Sequence, residues 1–326
     1  MKNIAVLCGG FSGEDVISLK SAQTILDNLD NSKYRVFKVI LGIDGWLVSD
    51  LTNNSWEINK ADFTVKNETE SISFDGVLNI IHGTPGEDGK IQGYFDLLGV
   101  KYNGCDVLIS SLTFNKGFCN HYLKQNGVTV AESVLLADGE QYSESGIIEK
   151  LGLPCFVKPN DGGSSIGVTK VKSADQLQPA IQKAFEVTGR VLIESFIEGV
   201  EITCGVIKLE DQVKSLAVTE IVFENEFFDF EAKYDSMGTQ EITPARISES
   251  DYNETMKLSE KIYLMLGCKG FFRADYILKN GELYLIEVNT VPGMSKQSLM
   301  PQQLDYANVS LSKILDYQIE QMLLQS

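Results

Sequence analysis

Short apolar runs alternate with amphipathic segments over the first hundred residues of the chain. Three of these runs have the length and composition of buried strands: IAVLC (4–8), YRVFKVIL (34–41) and GVLNII (76–81). Between the first two, the segment SGED (12–15) resembles a helix capping box, and apolar residues follow at helical spacing as far as Leu26. This alternation predicts an open α/β unit with a largely parallel sheet.

Beyond this unit, the pattern predicts mixed helices and strands in two further parts. The first part holds a helix near 114–125 and two strands, CFVKP (155–159) and VLIES (191–195), with a glycine-rich turn between the strands. The second part opens with the strands EITCGVI (201–207) and SLAVTEIVF (215–223).

The last hundred residues continue with a polar, irregular stretch at 224–245, a helix near 251–266, a hairpin and a closing helix near 310–324. A chain of 326 residues is longer than one hydrophobic core usually serves. We therefore expect three compact units, at 1–104, 105–197 and 198–326.

The hairpin RADYILKNGELYLIEVNT (273–290) is largely apolar, yet it carries an arginine, two carboxylates and an amide. On each strand two of these residues lie two positions apart, so they point to the same face. Carboxylate and amide oxygens are ligands that Mg²⁺ prefers, which favours a metal site. A half-exposed hairpin with one solvated face is the alternative. The four polar residues are Arg273, Asp275, Glu287 and Asn289.

The turn decides whether these residues share one face. A two-residue Asn280-Gly281 turn would place Asp275 on the opposite face from Glu287, whereas a three-residue loop would bring them to the same face. A metal site therefore requires an odd-length or bulged turn at Lys279–Glu282, and we expect that turn.

Two glycine-rich loops favour ligand binding. In KPNDGGSSIGV (158–168) a lysine ends a strand, and the glycines and serines that follow supply donors for an anion. The lysine precedes the glycines, so the loop is not a P-loop, and a Gly-Ser turn with a solvated lysine is the alternative. The loop HGTPGEDGKIQG (82–93) follows an apolar strand, where open α/β sheets bind ligands. Its alternative is a structural loop with a capping histidine.

Two more segments carry candidate chemistry. In GGFSGE (9–14), Glu14 near a helix start would repel a phosphate and suits an ammonium group, although it could also be a simple helix-dipole partner. The segment 227–245 is long for a loop in a compact chain, so it is either a lid or disordered. Lys233 and Tyr234 are the groups that such a lid would bring to the chemistry.

The composition excludes several classes of function. A formal net charge of −17 argues against nucleic acid as a partner, because phosphate backbones bind basic surfaces. Two histidines are too few for a histidine-rich metal site. The six cysteines are scattered without a C-x-x-C pair, so we expect reduced thiols in the cytoplasm. No run approaches 18 apolar residues, which predicts that the chain does not span a membrane.

Five segments in order, GGFSGEDVISL, HGTPGEDGKIQG, VKPNDGGSSIGV, FEAKY and RADY…LIEVNTVPGMSKQSL, resemble the D-alanine–D-alanine ligases of the ATP-grasp superfamily. The resemblance covers essentially the whole chain. It implies an N-terminal α/β substrate-binding domain followed by a two-part ATP-grasp fold with a lid at about 224–245. It also implies that ATP phosphorylates one D-alanine, and that a second D-alanine attacks the D-alanyl phosphate to give the dipeptide of the peptidoglycan precursor. A homodimer is implied as well.

The resemblance assigns residues to ATP and to Mg²⁺ (or Mn²⁺), with two ions expected. The phosphates would bind Lys116, Lys158 and the loop of Gly163, Ser164 and Ser165, and Lys233 would reach the γ-phosphate from the lid. The adenine and ribose would bind Glu194, Phe196, Ile197 and Glu201. The metal ligands would be Asp275, Glu287 and Asn289.

The resemblance also assigns the amino-acid site. Glu14 would bind the ammonium of the first D-alanine beside His82, and Ser164 and Tyr234 would hydrogen-bond with Glu14. The residues that would form the oxyanion hole are Arg273 and the N–H of Gly293, and those that would receive the carboxylate of the second D-alanine are Ser298 and Leu299.

Three departures from the family pattern concern the edges of the site. Asn115 replaces a frequent aspartate, Phe196 replaces a frequent tryptophan, and the arginine that often follows the first-loop glutamate is missing. Tyr234 favours an amine as the acceptor. Ligation of D-alanine to D-serine or D-lactate, a carboxylate–amine ligase for another substrate, and a nucleotide-binding protein without catalysis are the alternatives.

Overall fold

The structure is a computed structural model that describes residues 1–163, 166–223 and 239–324. Its strands form three sheets, of seven, four and five strands. The strands are β1 (Lys2–Gly9), β2 (Tyr34–Gly42), β3 (Gly45–Asp50), β4 (Ser55–Asn59), β5 (Thr64–Lys66), β6 (Ser71–Ser73), β7 (Gly76–Asn79), β8 (Ser133–Ala137), β9 (Cys155–Pro159), β10 (Thr169–Val171), β11 (Arg190–Ser195), β12 (Val200–Leu209), β13 (Gln212–Phe223), β14 (Thr239–Ile242), β15 (Phe272–Lys279) and β16 (Glu282–Asn289). The helices are α1 (Asp15–Asn28), α2 (Lys90–Leu98), α3 (Val107–Phe114), α4 (Lys116–Gln125), α5 (Glu144–Leu151), α6 (Leu177–Phe185), α7 (Glu249–Leu266), α8 (Leu299–Tyr306) and α9 (Leu311–Leu323), with a 3₁₀ turn (Ala174–Gln176) before α6.

The N-terminal sheet has the order β6-β5-β4-β3-β2-β1-β7. The parallel pairing that we expected is confined to β2, β1 and β7, and the other four strands continue antiparallel. A parallel pair needs a crossover, which α1 provides between β1 and β2. The connection between β2 and β3 is only Ile43 and Asp44, so these strands must form a hairpin.

The two other sheets are antiparallel. The four-stranded sheet has the order β10-β9-β11-β8, and the five-stranded sheet has the order β14-β13-β12-β15-β16. The predicted strand 155–159 is β9, and the predicted hairpin is β15 with β16. The predicted α/β class is confirmed.

The first and last segments of the chain share one hydrophobic core. Ile4 of β1 and Ile25 of α1 belong to the same buried cluster as Ile319 of α9. Gly76 at the start of β7 lies so close to Met322 that a Cβ there would be 2.2 Å from the methionine Cε. The closing helix therefore packs against the N-terminal unit and ties the C-terminal half of the chain to the first sheet.

The predicted capping box at 12–15 does not form. Helix α1 begins at Asp15, and no side chain caps its first turn. Ser12 instead donates its hydroxyl to the carbonyl of His82 at 3.0 Å, which joins the loops after β1 and β7. Within the described part of the chain, the structure contains no helix of the length and apolarity needed to cross a membrane.

Candidate active site

All three sheets contribute walls to one cavity of about 1020 Å³. The loops after β1 and β7 form one side, the ends of β9 and β11 form another, and β13, β15 and β16 complete it. The sequence-predicted residues that line this cavity are Glu14, Lys116, Lys158, Gly163, Glu194, Phe196, Ile197, Glu201, Asp275 and Glu287.

The hairpin of β15 and β16 closes with a two-residue turn, so our prediction of an odd-length or bulged turn at Lys279–Glu282 is wrong. Asn280 and Gly281 have positive φ angles of 52° and 82°, and Lys279 pairs directly with Glu282. Asparagine and glycine adopt this left-handed backbone more readily than other residues, which explains the tight turn.

The polar residues nevertheless share one face, because a bulge lies in the middle of the hairpin. Tyr276 pairs with Leu285, but the next pair is Asp275 with Glu287. One extra residue, Ile286, is therefore inserted in β16, and it reverses the alternation that the tight turn sets. The irregularity that we expected in the turn lies instead in the middle of the hairpin, beside the site.

Asp275 is the centre of the hydrogen bonds on this face. Its carboxylate accepts Nε and Nη2 of Arg273 at 2.8 and 2.7 Å. It also accepts Oγ1 of Thr203 at 2.5 Å and Nδ2 of Asn289 at 3.2 Å. Burial opposes the positive charge of Arg273, but the Asp275 carboxylate raises the pKa of the guanidinium above its usual value.

The same face has the donor atoms of a site for a hard cation. Asp275 and Glu287 face each other across the hairpin, and Asn289 adds an amide. Two carboxylates and an amide oxygen are the ligand types that suit Mg²⁺. In the residues that the structure describes, no group of three or more His, Cys, Asp and Glu side chains has metal-binding geometry. A site here therefore depends on Asn289, water or substrate oxygens for its remaining ligands.

Two lysines enter the cavity from different elements, Lys158 buried and Lys116 partly buried, and each meets a glutamate. Nζ of Lys116, at the start of α4, lies 3.2 Å from Oε2 of Glu287 and also donates to the carbonyl of Gly162. Lys158 near the end of β9 forms an ion pair with Glu194 of β11. Burial opposes the charge of Lys116, but Glu287 and other carboxylates raise its pKa above the usual value. Lys116 therefore carries its positive charge into the cavity.

Aromatic rings form the wall beyond Glu194. The rings of Phe156 and Phe196 lie 5.9 Å apart, and Nζ of Lys170 is 3.8 Å from the centroid of Phe196. The segment from Glu194 to Glu201 connects β11 to β12 and lines the same side of the cavity. A flat apolar ligand group fits against such a wall.

Glu14 lies between two glycines in the same cavity. A Cβ on Gly83 would be 3.0 Å from Oε2 of Glu14, and a Cβ on Gly163 would be 2.9 Å from Oε1. Larger residues at these two positions would therefore displace the carboxylate. The structure thus brings together the first loop, the loop after β7 and the loop after β9.

His82 is buried behind Glu14, and both of its ring nitrogens have partners. Nδ1 lies 2.7 Å from the carbonyl of Val291, so it must carry the hydrogen. Burial lowers the pKa of His82, so Nε2 is unprotonated and accepts the hydroxyl of Ser21 at 3.1 Å. Ser21 in turn accepts the N–H of Met294 at 3.0 Å. These bonds fix the segment after β16 against the first sheet.

Gly293, Ser298 and Leu299 lie on that segment and on the start of α8. Ser298 precedes α8 but does not cap it, because its hydroxyl pairs with Ser295 at 2.7 Å. A Cβ on Gly293 would be 2.8 Å from this hydroxyl. These residues form a group of their own and are not among the described residues that line the large cavity. Four predicted site residues lie outside the described residues: Ser164, Ser165, Lys233 and Tyr234.

Two family models match nearly the whole chain. The model described as D-ala D-ala ligase N-terminus matches residues 3–105, and the model described as D-ala D-ala ligase C-terminus matches residues 122–320. The chain belongs to the D-alanine–D-alanine ligase family. The resemblance seen in the motifs is therefore confirmed, and the protein is an enzyme of the ligase class.

Relatives of the family are similar along their full length. The D-alanine--D-alanine ligase of Azobacteroides pseudotrichonymphae is 49% identical over 98% of this chain and 99% of its own. That of Bacteroides fragilis is 45% identical over 98% of each chain.

Solved structures of the family share the fold. D-alanyl-alanine synthetase A of Vibrio cholerae superimposes with a TM-score of 0.89 at 26% identity, over 100% of this chain and 99% of its own. The VanG D-Ala:D-Ser ligase of Enterococcus faecalis gives 0.84 at 30% identity, over 99% of each chain. The D-alanine--D-alanine ligase of Bacillus anthracis complexed with ATP gives 0.78 at 31% identity, over 99% of this chain and 97% of its own.

Glu87 is a further candidate for the active site of this ligase, although we did not single it out from the sequence. Its carboxyl group accepts the N–H of Gly83 at 2.7 Å and that of Val291 at 3.3 Å. Burial, with the nearby charge of Glu14 as the second cause, raises the pKa of Glu87 to about 8. The sequence did offer one signal for Glu87: it lies in the loop after β7, four residues after Gly83, whose N–H it accepts.

Thr203 was also missed, for a different reason. Its hydroxyl bond to Asp275 exists because β12 lies beside β15 and places Thr203 opposite Asp275. No local motif marks this threonine. It becomes visible only when the pairing of the two strands is known.

Proposed function

We propose that this protein is an ATP-dependent D-alanine–D-alanine ligase that makes the terminal dipeptide of the peptidoglycan precursor and releases ADP and phosphate. The observation that carries the proposal is one cavity that holds two lysines, each paired with a glutamate, together with the carboxylates of Asp275, Glu287 and Glu14. The two lysines suit phosphates, and the carboxylate of Glu14 suits an ammonium group. The names of the relatives support the same activity.

Lys116 and Lys158 hold the phosphates in this proposal, with N–H groups from the loop of Gly163, Ser164 and Ser165. Each lysine is paired with a glutamate in the structure, so its position is set before the nucleotide enters. Lys233 reaches the γ-phosphate. The adenine lies against the aromatic wall at Glu194, Phe196 and Ile197, and the ribose meets Glu201, since these residues line one side of the cavity.

Asp275, Glu287 and Asn289 are the proposed ligands of two Mg²⁺ or Mn²⁺ ions. Their oxygens lie on one face of the hairpin, and this donor set fits a hard divalent cation. When bound, such ions neutralise phosphate charge during phosphoryl transfer. The protein holds these ligands at fixed spacing through the bulge at Ile286 and the hydroxyl of Thr203.

The first D-alanine binds with its ammonium at Glu14, beside His82. The imidazole of His82 is neutral, so it does not repel the ammonium group of the substrate. Ser164 and Tyr234 are proposed to hydrogen-bond with Glu14. Tyr234 lies on the proposed lid at about 224–245, and exclusion of water protects an acyl phosphate from hydrolysis.

The second D-alanine attacks the D-alanyl phosphate as an amine. Arg273 and the N–H of Gly293 stabilise the developing oxyanion, and the side-chain charge of Arg273 is secured by Asp275. Ser298 and Leu299 receive the carboxylate of the second D-alanine. The start of α8 supports this role, because no side chain caps its N–H groups and a helix N-terminus attracts anions.

An ADP-release assay over a panel of D- and L-amino acids tests the proposed function. Release that requires Mg²⁺ and D-alanine, with D-alanyl-D-alanine as the product, is the expected result. A clear preference for D-serine or D-lactate as the acceptor would overturn the proposed substrate while keeping the reaction type. ADP release with no amino-acid dependence would overturn the ligase assignment.

We also propose the domains 1–104, 105–197 and 198–326, a cytoplasmic location and a homodimer. The N-terminal family model ends at residue 105, which supports the first boundary. All six cysteines are buried and unpaired, which suits a reducing compartment. The proposed partners are ATP and D-alanine, with no nucleic acid and no membrane.

A further inference from the structure

The two lysines of the cavity reach it from separate elements, so their spacing must be set by a contact between those elements. Lys158 belongs to β9, and Lys116 is the first residue of α4. Asn160, which follows β9 directly, is completely buried and is not among the described residues that line the cavity. No motif or family assignment above gives it a role.

Asn160 bonds to the start of α4 with two of its groups. Its carbonyl accepts the N–H of Lys116 at 3.0 Å, and its side-chain oxygen accepts the N–H of Gly117 at 2.8 Å. Its own N–H donates to the carbonyl of Arg190 on β11 at 2.9 Å, and its side-chain nitrogen donates to Asp161 at 2.8 Å. Three of the four polar groups of Asn160 therefore join the end of β9 to β11 and α4, and the fourth bonds to the adjacent Asp161.

The first turn of α4 is adapted to this contact. A Cβ on Gly117 would lie 2.8 Å from the side-chain oxygen of Asn160, so glycine allows the close approach. The N–H of Phe118 is satisfied by Asn115 at 3.1 Å. The first three N–H groups of α4 are thus bonded within the protein. The helix presents the side chain of Lys116 to the cavity rather than open backbone donors.

We propose that Asn160 is a positioning residue that sets the distance between Lys116 and Lys158 and so prepares the cavity for the nucleotide phosphates. The inference rests on the proposed function, because it assumes that both lysines bind ATP. It adds a residue that touches no ligand and acts through the elements it joins. Two charges held at fixed spacing bind a phosphate chain without an ordering cost at the moment of binding.

The test measures ATP binding with Mg²⁺ by calorimetry on the full-length protein, together with the KM for D-alanine and the melting temperature. Asn160→Ala is expected to weaken ATP binding about tenfold, because the N–H of Gly117 at the start of α4 loses its acceptor. The KM for D-alanine should change less than about twofold. Gly117→Ala should weaken ATP binding in the same way, because its methyl group displaces Asn160. Gly146→Ala in α5 is the matched control, since a Cβ there meets only Ser143 at 3.4 Å.

The double variant Asn160→Ala with Gly117→Ala separates positioning from general destabilisation. In the double variant the alanine at 117 has no side-chain oxygen to displace and meets only the tip of Leu135, at 3.2 Å, so it should add little. The two effects on ATP binding are therefore expected to be strongly non-additive. Additive effects, or equal losses for ATP and D-alanine, would overturn the inference. If Asn160→Ala does not fold, Gly117→Ala against Gly146→Ala decides the question.

Lys116→Ala and Lys158→Ala distinguish failure of this inference from failure of the proposed function. If both lysine variants bind ATP normally, the nucleotide assignment is wrong, and the role of Asn160 falls with it. If they bind ATP weakly while Asn160→Ala and Gly117→Ala bind it like the unmodified protein, only the inference about Asn160 is wrong.

Discussion

Glu87 keeps a proton that an exposed carboxyl group would lose at neutral pH. Burial and the neighbouring charge of Glu14 raise its pKa from 4.5 to about 8. Between these two values the folded protein binds a proton that the unfolded chain does not. The contribution of Glu87 to stability therefore declines as the pH rises from about 5 to about 8.

We predict that Glu87→Gln removes this pH dependence. The free energy of unfolding of the unmodified protein should fall with pH more steeply than that of the variant, by at most about 1.4 kcal/mol per pH unit. Denaturant unfolding of both proteins between pH 5 and 8 measures the difference. Glu57→Gln on the exposed side of β4 serves as the control. Parallel curves for Glu87→Gln and the unmodified protein would contradict the prediction.

Asp275 and Glu287 are predicted to matter for turnover rather than for folding. Asp275→Asn and Glu287→Gln each remove a carboxylate charge from the proposed metal face, so kcat should fall at least about a hundredfold while the circular dichroism spectrum is kept. Mn²⁺ binding, followed by electron paramagnetic resonance, should weaken in both variants. Near-normal kcat in either variant would show that the metal assignment is wrong.

Thr203→Val gives an intermediate case at the same site. It keeps both carboxylates and removes one hydrogen bond to Asp275, so a loss of about tenfold in metal affinity is expected. A loss as large as that of Asp275→Asn would mean that the threonine does more than orient its neighbour.

At the scale of elements, the hairpin of β15 and β16 separates two tasks. The turn at Asn280 and Gly281 closes the hairpin, and the bulge at Ile286 sets which residues face the cavity. The carbonyl of Ile286 also accepts Nδ2 of Asn120 on α4 at 3.1 Å, so the bulge is held by another element. Changes at the turn should therefore alter stability without altering the site.

We predict that Gly281→Val destabilises the protein by about 1–2 kcal/mol, because a β-branched residue is strained at a positive φ. The KM for ATP and kcat at 25 °C should stay within about twofold of the unmodified protein. Asn280→Gly is the control and should be nearly neutral in both respects. A large rise in the KM for ATP in Gly281→Val would show that the bulge does not isolate the site from the turn.

The hairpin also shows what the sequence alone could and could not predict. The strands, their polar face and the tight Asn-Gly alternative follow from local rules. The bulge does not, because its position depends on packing against α4 and on the strand register. For the same reason Thr203 and Asn160 escaped notice, since their partners lie on elements distant in sequence.

At the scale of the whole molecule, the loops predicted to bind ligands meet in one cavity because they follow the ends of strands that converge there. The expectation of a largely parallel first sheet holds only for β2, β1 and β7. The strands β3 to β6 are short and polar, with few buried positions, so they carry little hydrophobic signal. Their hairpin connections made the outer part of the sheet antiparallel.

We predict that a fragment of residues 1–104 does not fold cooperatively by itself. Its core is shared with α9, so the fragment would expose the face that Ile319 and Met322 cover. Binding of a hydrophobic dye and the absence of a sharp thermal transition are the expected results. Addition of the separately produced remainder of the chain should restore the transition. A fragment that melts cooperatively alone would contradict this account.

The closing helix also has a consequence for synthesis in the cell. The ribosome makes β1 and α1 well before α9, so the N-terminal sheet waits for its cover while the residues between them are translated. At usual elongation rates, this delay between residues 104 and 323 is on the order of 10–40 s. The apolar side of a newly made sheet is exposed throughout that time. The nascent chain is therefore expected to be a substrate for chaperones that bind at the ribosome exit.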